Sequence, residues 1–258
     1  MPWSPRRLLQ EVLSTPRRTV LRLPDTRVID REDLLQVITP SLPHGGLNEV
    51  AFCRFGVRAA DREIDLALGR FDAAGVRSRW GVYPDCLPLD LSDRLARRGL
   101  RGTHVDALYR VGPLDPGRPL VPRVLISRVG ADSVDEYSRV MAEGWRLDRQ
   151  ALSVLNRAAV GDPRMHLYLA RVDGEPAGVA SAILSAHSVF LQGAMVMPSF
   201  RGLGLYRALV ERRLADAQAQ GRTLAFTHAL AATSSPLLRR MGFAELFRFE
   251  SFSPRLEH

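Results

Sequence analysis

Met197-Pro198-Ser199-Phe200-Arg201-Gly202-Leu203-Gly204-Leu205-Tyr206-Arg207-Ala208-Leu209 is the stretch on which the reading of this chain turns. The apolar run 189–197 leads into it and reads as a strand. Out of it come Tyr206, Val210, Leu214 and Ala217, at spacings of four, four and three, which share one side of a helix. Strand, glycine-punctuated turn and helix start together make an anion-binding arrangement. The first amides of a helix have no carbonyl partners, and its dipole is positive at that end. Glycines at 202 and 204 let backbone approach phosphate oxygens closely. By themselves the glycines also suit a connection that binds no ligand.

Two familiar phosphate loops are excluded by particular residues. A Walker loop needs a lysine, and all 36 basic residues here are arginine. A dinucleotide fingerprint would need glycine where Arg207 stands and an acid about twenty residues on, where Leu224 falls. The stretch instead resembles motif A of the GNAT acyltransferases, Arg/Gln-x-x-Gly-x-Gly/Ala, with Arg201 first and Gly204 as the first required glycine. Tyr206 departs from the Gly or Ala usual in that family. The resemblance implies that the ligand is coenzyme A, carried as acetyl-CoA or another acyl-CoA. It implies contacts from Met195, Val196, Met197, Arg201, Gly202, Leu203, Gly204, Leu205, Tyr206 and Arg207.

The element order downstream agrees. From 123 onward the sequence reads β-α-α-β-β-β-α-β-α-β, closing on Met241-Gly242-Phe243, which is similar to the family's Leu-Gly-Phe. The first half echoes the second: from 48, strand, helix, Gly75, strand, helix, Arg98-Gly99-Leu100, strand. Its turn, Phe55-Gly56-Val57-Arg58-Ala59-Ala60, has one glycine, a poor phosphate cradle. The chain therefore resembles the tandem GNAT type with a degenerate N-terminal half. The implied fold class is α/β (α+β), with tandem GNAT-like domains, each a mixed, mostly antiparallel sheet flanked by helices. The Gly- and Pro-dense run from 112 places the boundaries at 1–112, a linker at 113–122, and the acyl-CoA domain at 123–255. Residues 256–258 read as a tag remnant. In the first half, helices are expected over 3–13, 58–73 and 89–98, and strands over 18–23, 27–29, 48–55, 78–82 and 104–111.

Composition narrows the classes. The 258 residues are 46% apolar and 25% charged, enough for substantial cores. The net charge of +8 is spread evenly: 19 arginines face 15 acids in 1–120, and 17 face 13 in 121–258. That pattern has no basic tail, and nucleic acid is not an expected partner. No apolar run reaches the roughly 18 residues of a membrane span, and no signal segment is evident, so a cytoplasmic protein with no membrane partner is expected; the resemblance to the tandem type implies a bacterial one. Cys53 and Cys86 have neither CxxC spacing nor a disulfide framework. The histidines lack paired spacing, and no metal is expected.

The chemistry implied by the resemblance is attack of a primary amine, on a small molecule or peptide, at the thioester of acetyl-CoA. A backbone N–H near Met195–Met197 would polarise the carbonyl if the strand splays there. The family's tyrosine acid falls on Leu238 and its asparagine on Ala231. Proton carriers are then sought in His228, Ser234 and Ser235, with Thr233 or Ser234 also suited to cap the last helix. Trp145 and Gln192 are candidates for the acceptor pocket. Loss of the tyrosine leaves a second reading, a non-catalytic acyl-CoA-binding or regulatory module. The acceptor and the oligomeric state are not encoded in any recognisable pattern.

Overall fold

The computed structural model describes residues 3–44, 47–114 and 123–254. The chain divides into two compact units that do not follow the division at 113–122. One takes the N-terminal stretch up to Thr15 together with Tyr109–His228; the other takes Pro16–Leu108 and everything from Ala229 on. The first residues of the expected linker, Pro113 and Leu114, are described; residues 115–122 and the tag remnant at 256–258 lie outside the described residues.

The second-half unit is built on β6 (Val124–Arg128), α4 (Val134–Trp145), α5 (Arg149–Gly161), β7 (Met165–Val172), β8 (Glu175–Leu184), β9 (Ser188–Val196), α6 (Leu205–Ala219) and β10 (Leu224–Leu230). Its strands run in the order β10-β9-β8-β7-β6. All neighbours are antiparallel except β9 and β10, which are parallel because α6 returns the chain between them. The β7–β8 hairpin turns at Asp173-Gly174, both at positive φ. Asp148 caps α5 by accepting from the Ala151 amide, and a buried Asn156-to-Ser138 hydrogen bond of 3.0 Å ties α5 to α4. The start of α1 (Pro5–Arg18) belongs here: Ser188 donates to Glu11 at 2.6 Å, and the Trp3 indole to Thr223 at 3.1 Å.

The other unit contains β1 (Arg27–Arg31), β2 (Leu34–Ile38), β3 (Glu49–Cys53), α2 (Ala60–Ala73), β4 (Arg79–Val82), α3 (Leu91–Arg97), most of β5 (Arg101–Val111), α7 (Ser234–Arg239) and β11 (Ala244–Ser253). Strand order is β1-β2-β3-β4-β11-β5. The last strand of the chain is thus inserted beside β4, antiparallel, with Phe252 opposite Trp80. Phe252 is buried in the same core as Leu34, Val50, Ile64, Phe71 and Trp80. This burial draws the C-terminal strand away from the sequence-contiguous domain at 123–255.

Two local expectations are corrected. The first helix does not stop near 13 but runs through Pro16 to Arg18, displacing the strand expected over 18–23. Its end is anchored by Arg17, which donates to both Asp85 oxygens (2.7 and 2.8 Å) and to the Ala51 carbonyl (3.1 Å). The structure adds β2, whose five residues are all buried and so lack the alternation that marks a half-buried strand.

Candidate active site

β9 ends at Val196, and the chain then makes a 3-10 turn, Pro198–Phe200, before α6 begins. Gly202 and Gly204 have φ of +83° and +78°, and Gly204 is the N-cap residue of α6. A Cβ at either glycine would meet no atom within 4 Å. Their requirement is therefore the left-handed backbone, with open space beside it. The first helical bond is Ala208 to the Gly204 carbonyl, at 3.0 Å. Among the described residues, no backbone acceptor takes the amides of Gly202 through Arg207. No side chain caps this end, and its first turn contains no acid. Arg207 is held by Glu211 at 2.7 Å, four residues along the helix. Free amides, the positive end of the dipole and room for a ligand make a site that fits a phosphate group.

Upstream, the β8–β9 ladder shifts register between Ala180 and Ser181: Ala180 faces Ala194 and Ser181 faces Gln192. Gly193 is the extra residue of a β-bulge, with φ of +39°. The Ser181 hydroxyl donates to the Gln192 carbonyl at 3.0 Å, so that carbonyl points toward β8. In a trans peptide the following N–H, that of Gly193, points the opposite way, toward β10. There the parallel ladder ends at Phe226 and Phe190. Just beyond that point Thr227 donates its hydroxyl to the Leu191 carbonyl at 2.7 Å. The strands part at the bulge.

Trp145 lies over this point. A Cβ on Gly193 would come 3.2 Å from its ring, and one on Gly144 would strike the Met195 side chain. Trp145 is nevertheless 37% exposed. Of the expected pocket residues, Trp145 lies beside Gly193, the neighbour of Gln192, and Met195 lies beside Gly144 at the end of α4. Met197 pairs back to β8 through its amide, which donates to the Ala177 carbonyl at 2.8 Å. His228 is half-buried on β10, its ring centroid 5.2 Å from that of Phe190.

Ser234 and Ser235 belong to the other compact unit. Ser235 is buried, and its hydroxyl donates to Asp106 at 2.6 Å. Asp106, 1% exposed, also accepts from Arg248 at 2.7 Å and from Arg239 at 3.3 Å. Ser235 is thus committed to a buried carboxylate. Ser234 is half-buried at the start of α7, and Thr233, the N-cap residue, makes no side-chain capping bond. Leu238, at the family's tyrosine position, is buried. Among the described residues no cluster of His, Cys, Asp or Glu could hold a metal, and no helix is long and apolar enough to cross a membrane.

Two features of the site escaped the sequence. A glycine inside a strand run, Gly193, is itself a bulge signal. Arg213 is the other: it stands seven residues after Tyr206, on the apolar stripe of α6, and is only 3% exposed. Its Nη1 donates to the carbonyls of Ser181 (2.9 Å) and Gln192 (3.3 Å), directly at the bulge.

Comparison with known proteins agrees with this geometry. Residues 132–243 match the model of the acetyltransferase (GNAT) family. A GCN5-related N-acetyltransferase from Kribbella flavida superposes with a TM-score of 0.65 at 16% identity, covering 98% of this chain and 95% of that one. A tandem GNAT protein from the clavulanic acid biosynthesis pathway gives 0.62 at 14%, covering 97% and 95%. A conserved protein of unknown function from Staphylococcus epidermidis gives 0.69 at 13%, covering 94% and 98%. No curated protein sequence matches the chain significantly. At these identities the structural likeness speaks to fold: residues 132–243 match the acetyltransferase (GNAT) family model, and the fold of the chain is similar to that of a tandem GNAT protein.

Proposed function

We propose that the chain is an N-acyltransferase that moves an acyl group, acetyl by preference, from acyl-CoA to a primary amine by direct attack. The observation that carries this reading is the run of unbonded amides from Gly202 to Arg207, next to two parallel strands that part at a bulge. The amides of Gly202–Arg207 and the Arg201 side chain would hold the pyrophosphate. The edge of β9 from Met195 to Met197 would carry the pantetheine arm. Acyl-CoA supplies the activated thioester. The Gly193 N–H, turned toward the gap, is the donor best directed at the thioester oxygen, ahead of the amides of Met195–Met197. His228 would accept the proton of the attacking amine. Trp145 and Gln192 would line the acceptor side. Ser235, bonded to Asp106, is assigned to holding α7. The N-terminal half is proposed to bind no CoA and the protein to act in the cytoplasm.

Calorimetric titration with CoA, followed by thiol release from acetyl-CoA across a panel of amines, tests the reading. Binding with amine-dependent thiol release supports it. Absence of CoA binding would overturn it. Binding with no release for any amine would favour the alternative, a non-catalytic acyl-CoA module, which the buried Leu238 at the tyrosine position supports.

A further inference from the structure

Arg213 is a buried cation whose contacts are unusual for one. Its Nε donates to the Leu209 carbonyl at 2.9 Å within α6, and its Nη1 reaches the carbonyls of Ser181 and Gln192 on adjacent strands. No carboxylate among the described residues pairs with it. Burial draws its pKa down to about 10, and the groups that work against this are the phenols of Tyr206, Tyr168 and Tyr137. Tyr137 is fixed in turn by donating to the Ala180 carbonyl at 3.4 Å, at the edge of the same register shift. Placing a guanidinium here costs several kcal/mol of desolvation that an apolar side chain of similar volume would avoid. What an apolar side chain would lack is a fork of N–H donors for the carbonyls of Ser181 and Gln192, which are paired at the register shift.

We infer that Arg213 is a positioning residue for the acyl-transfer centre: with the Ser181 hydroxyl it fixes the Gln192 carbonyl, and so keeps the Gly193 N–H turned into the gap between β9 and β10. The inference rests on the acyl-transfer reading above for its effect on rate, but not for its effect on the bulge. The Gln192 carbonyl receives two donors, the Ser181 hydroxyl and Arg213. The Gly193 amide belongs to the same rigid peptide plane, so fixing one end fixes the other. Tyr206, in place of the small residue usual at its position, lies two turns before Arg213 on the same side of α6. Burial pushes the Tyr206 phenol up, and the charge of Arg213 works against that rise.

The test uses Arg213→Met and Arg213→Lys in the full chain, with Ser181→Ala as the milder perturbation of the same carbonyl. For Arg213→Met we expect kcat to fall ~10–100-fold, as for a reacting group misplaced by about 1 Å, with CoA affinity within about twofold of wild type. Arg213→Lys should recover part of the loss, because an ammonium can still donate to carbonyls. Amide exchange at Gly193 should speed up by ~10-fold or more in Arg213→Met while α6 keeps its protection. A folded Arg213→Met enzyme with unchanged kcat would overturn the inference. So would parallel losses of kcat and CoA affinity, or a lysine variant no better than methionine. Should Arg213→Met not fold, Ser181→Ala decides: a ~3–10-fold loss of kcat at unchanged CoA affinity supports the inference, and wild-type kcat overturns it. If wild type itself releases no thiol, the acyl-transfer reading fails. Gly193 exchange then still reports on the bulge, and unchanged exchange in the variants overturns its pinning by Arg213.

Discussion

The chain contains two strand–turn–helix crossovers of the same plan, and they end in opposite ways. In the first, β3 leads through Phe55–Ala59 into α2 and returns as the parallel strand β4. In the second, β9 leads through Met197–Gly204 into α6 and returns as β10. Around α2 the opening is closed by backbone. Leu87 donates to the Cys53 carbonyl at 3.0 Å, and Phe55 donates to the Leu87 carbonyl at 3.1 Å, so chain fills the place where strands could part. The amides of Ala59 and Ala60 both turn in to the Gly56 carbonyl at 3.0 Å. The first turn of α2 also carries Asp61 and Glu63. Asp61 pairs with Arg94 and Arg98, and Glu63 with Arg31. Three features that would welcome a phosphate at α6 are reversed here: the Ala59 and Ala60 amides are bonded inward, acids stand at the positive end of the dipole, and the strands are bridged. One plan supports a ligand site or a solid core depending on a few residues in its turn.

The contrast can be broken at several points, taken here from the largest expected effect downward. His228→Ala should lower turnover by ~10²-fold with CoA affinity unchanged, since general-base help is typically worth ~10²–10⁴. If His228 is the base proposed above, its neutral imidazole is the form that acts: wild-type activity should rise with pH as the ring loses its proton, and the variant should lose that limb. A variant with an unchanged pH–rate profile would remove His228 from the mechanism. Gly204→Glu should weaken CoA binding by more than ~10-fold. It puts an L residue at positive φ, a cost of ~1–2 kcal/mol, and a carboxylate at the end of α6 where the proposal places a phosphate. Calorimetry on the folded variant measures this, and unchanged affinity would move the phosphates elsewhere.

Asp106→Asn should act on stability and leave CoA affinity alone, a loss of ~1–3 kcal/mol by denaturant unfolding. Burial pushes the Asp106 carboxyl up, but hydrogen bonds from Arg248, Ser235 and Arg239 outweigh it and hold the group below its ordinary value. A carboxylate depressed on folding stabilises above its unfolded pKa and loses that contribution as pH falls through the folded one. The wild type should therefore lose this increment in the acid range, and Asp106→Asn should show a flatter stability profile there. An equal slope in both proteins would mean the network is not the source.

The second crossover was legible in the sequence because its turn is written in two glycines followed by a helix-period stripe. The first was legible only as an element order. Nothing local in Phe55-Gly56-Val57 announces that Leu87, some thirty residues on, closes the strands by backbone bonds. The insertion of β11 beside β4 was hidden for the same reason: strand pairing is a tertiary choice, and Phe252 reads alike whichever core buries it. Ser235 looked available because a hydroxyl near a helix start has many uses, whereas its partner Asp106 lies 129 residues away. Arg213 was the most readable of the missed residues, an arginine on an otherwise apolar stripe.

The central claim is that only the second crossover holds coenzyme A. Titration of the full chain with CoA, read as heat per injection, tests it most directly. The account predicts saturation at one equivalent per chain, with the transition lost in Gly204→Glu. Saturation at two equivalents, or at one equivalent that survives Gly204→Glu undiminished, would contradict it.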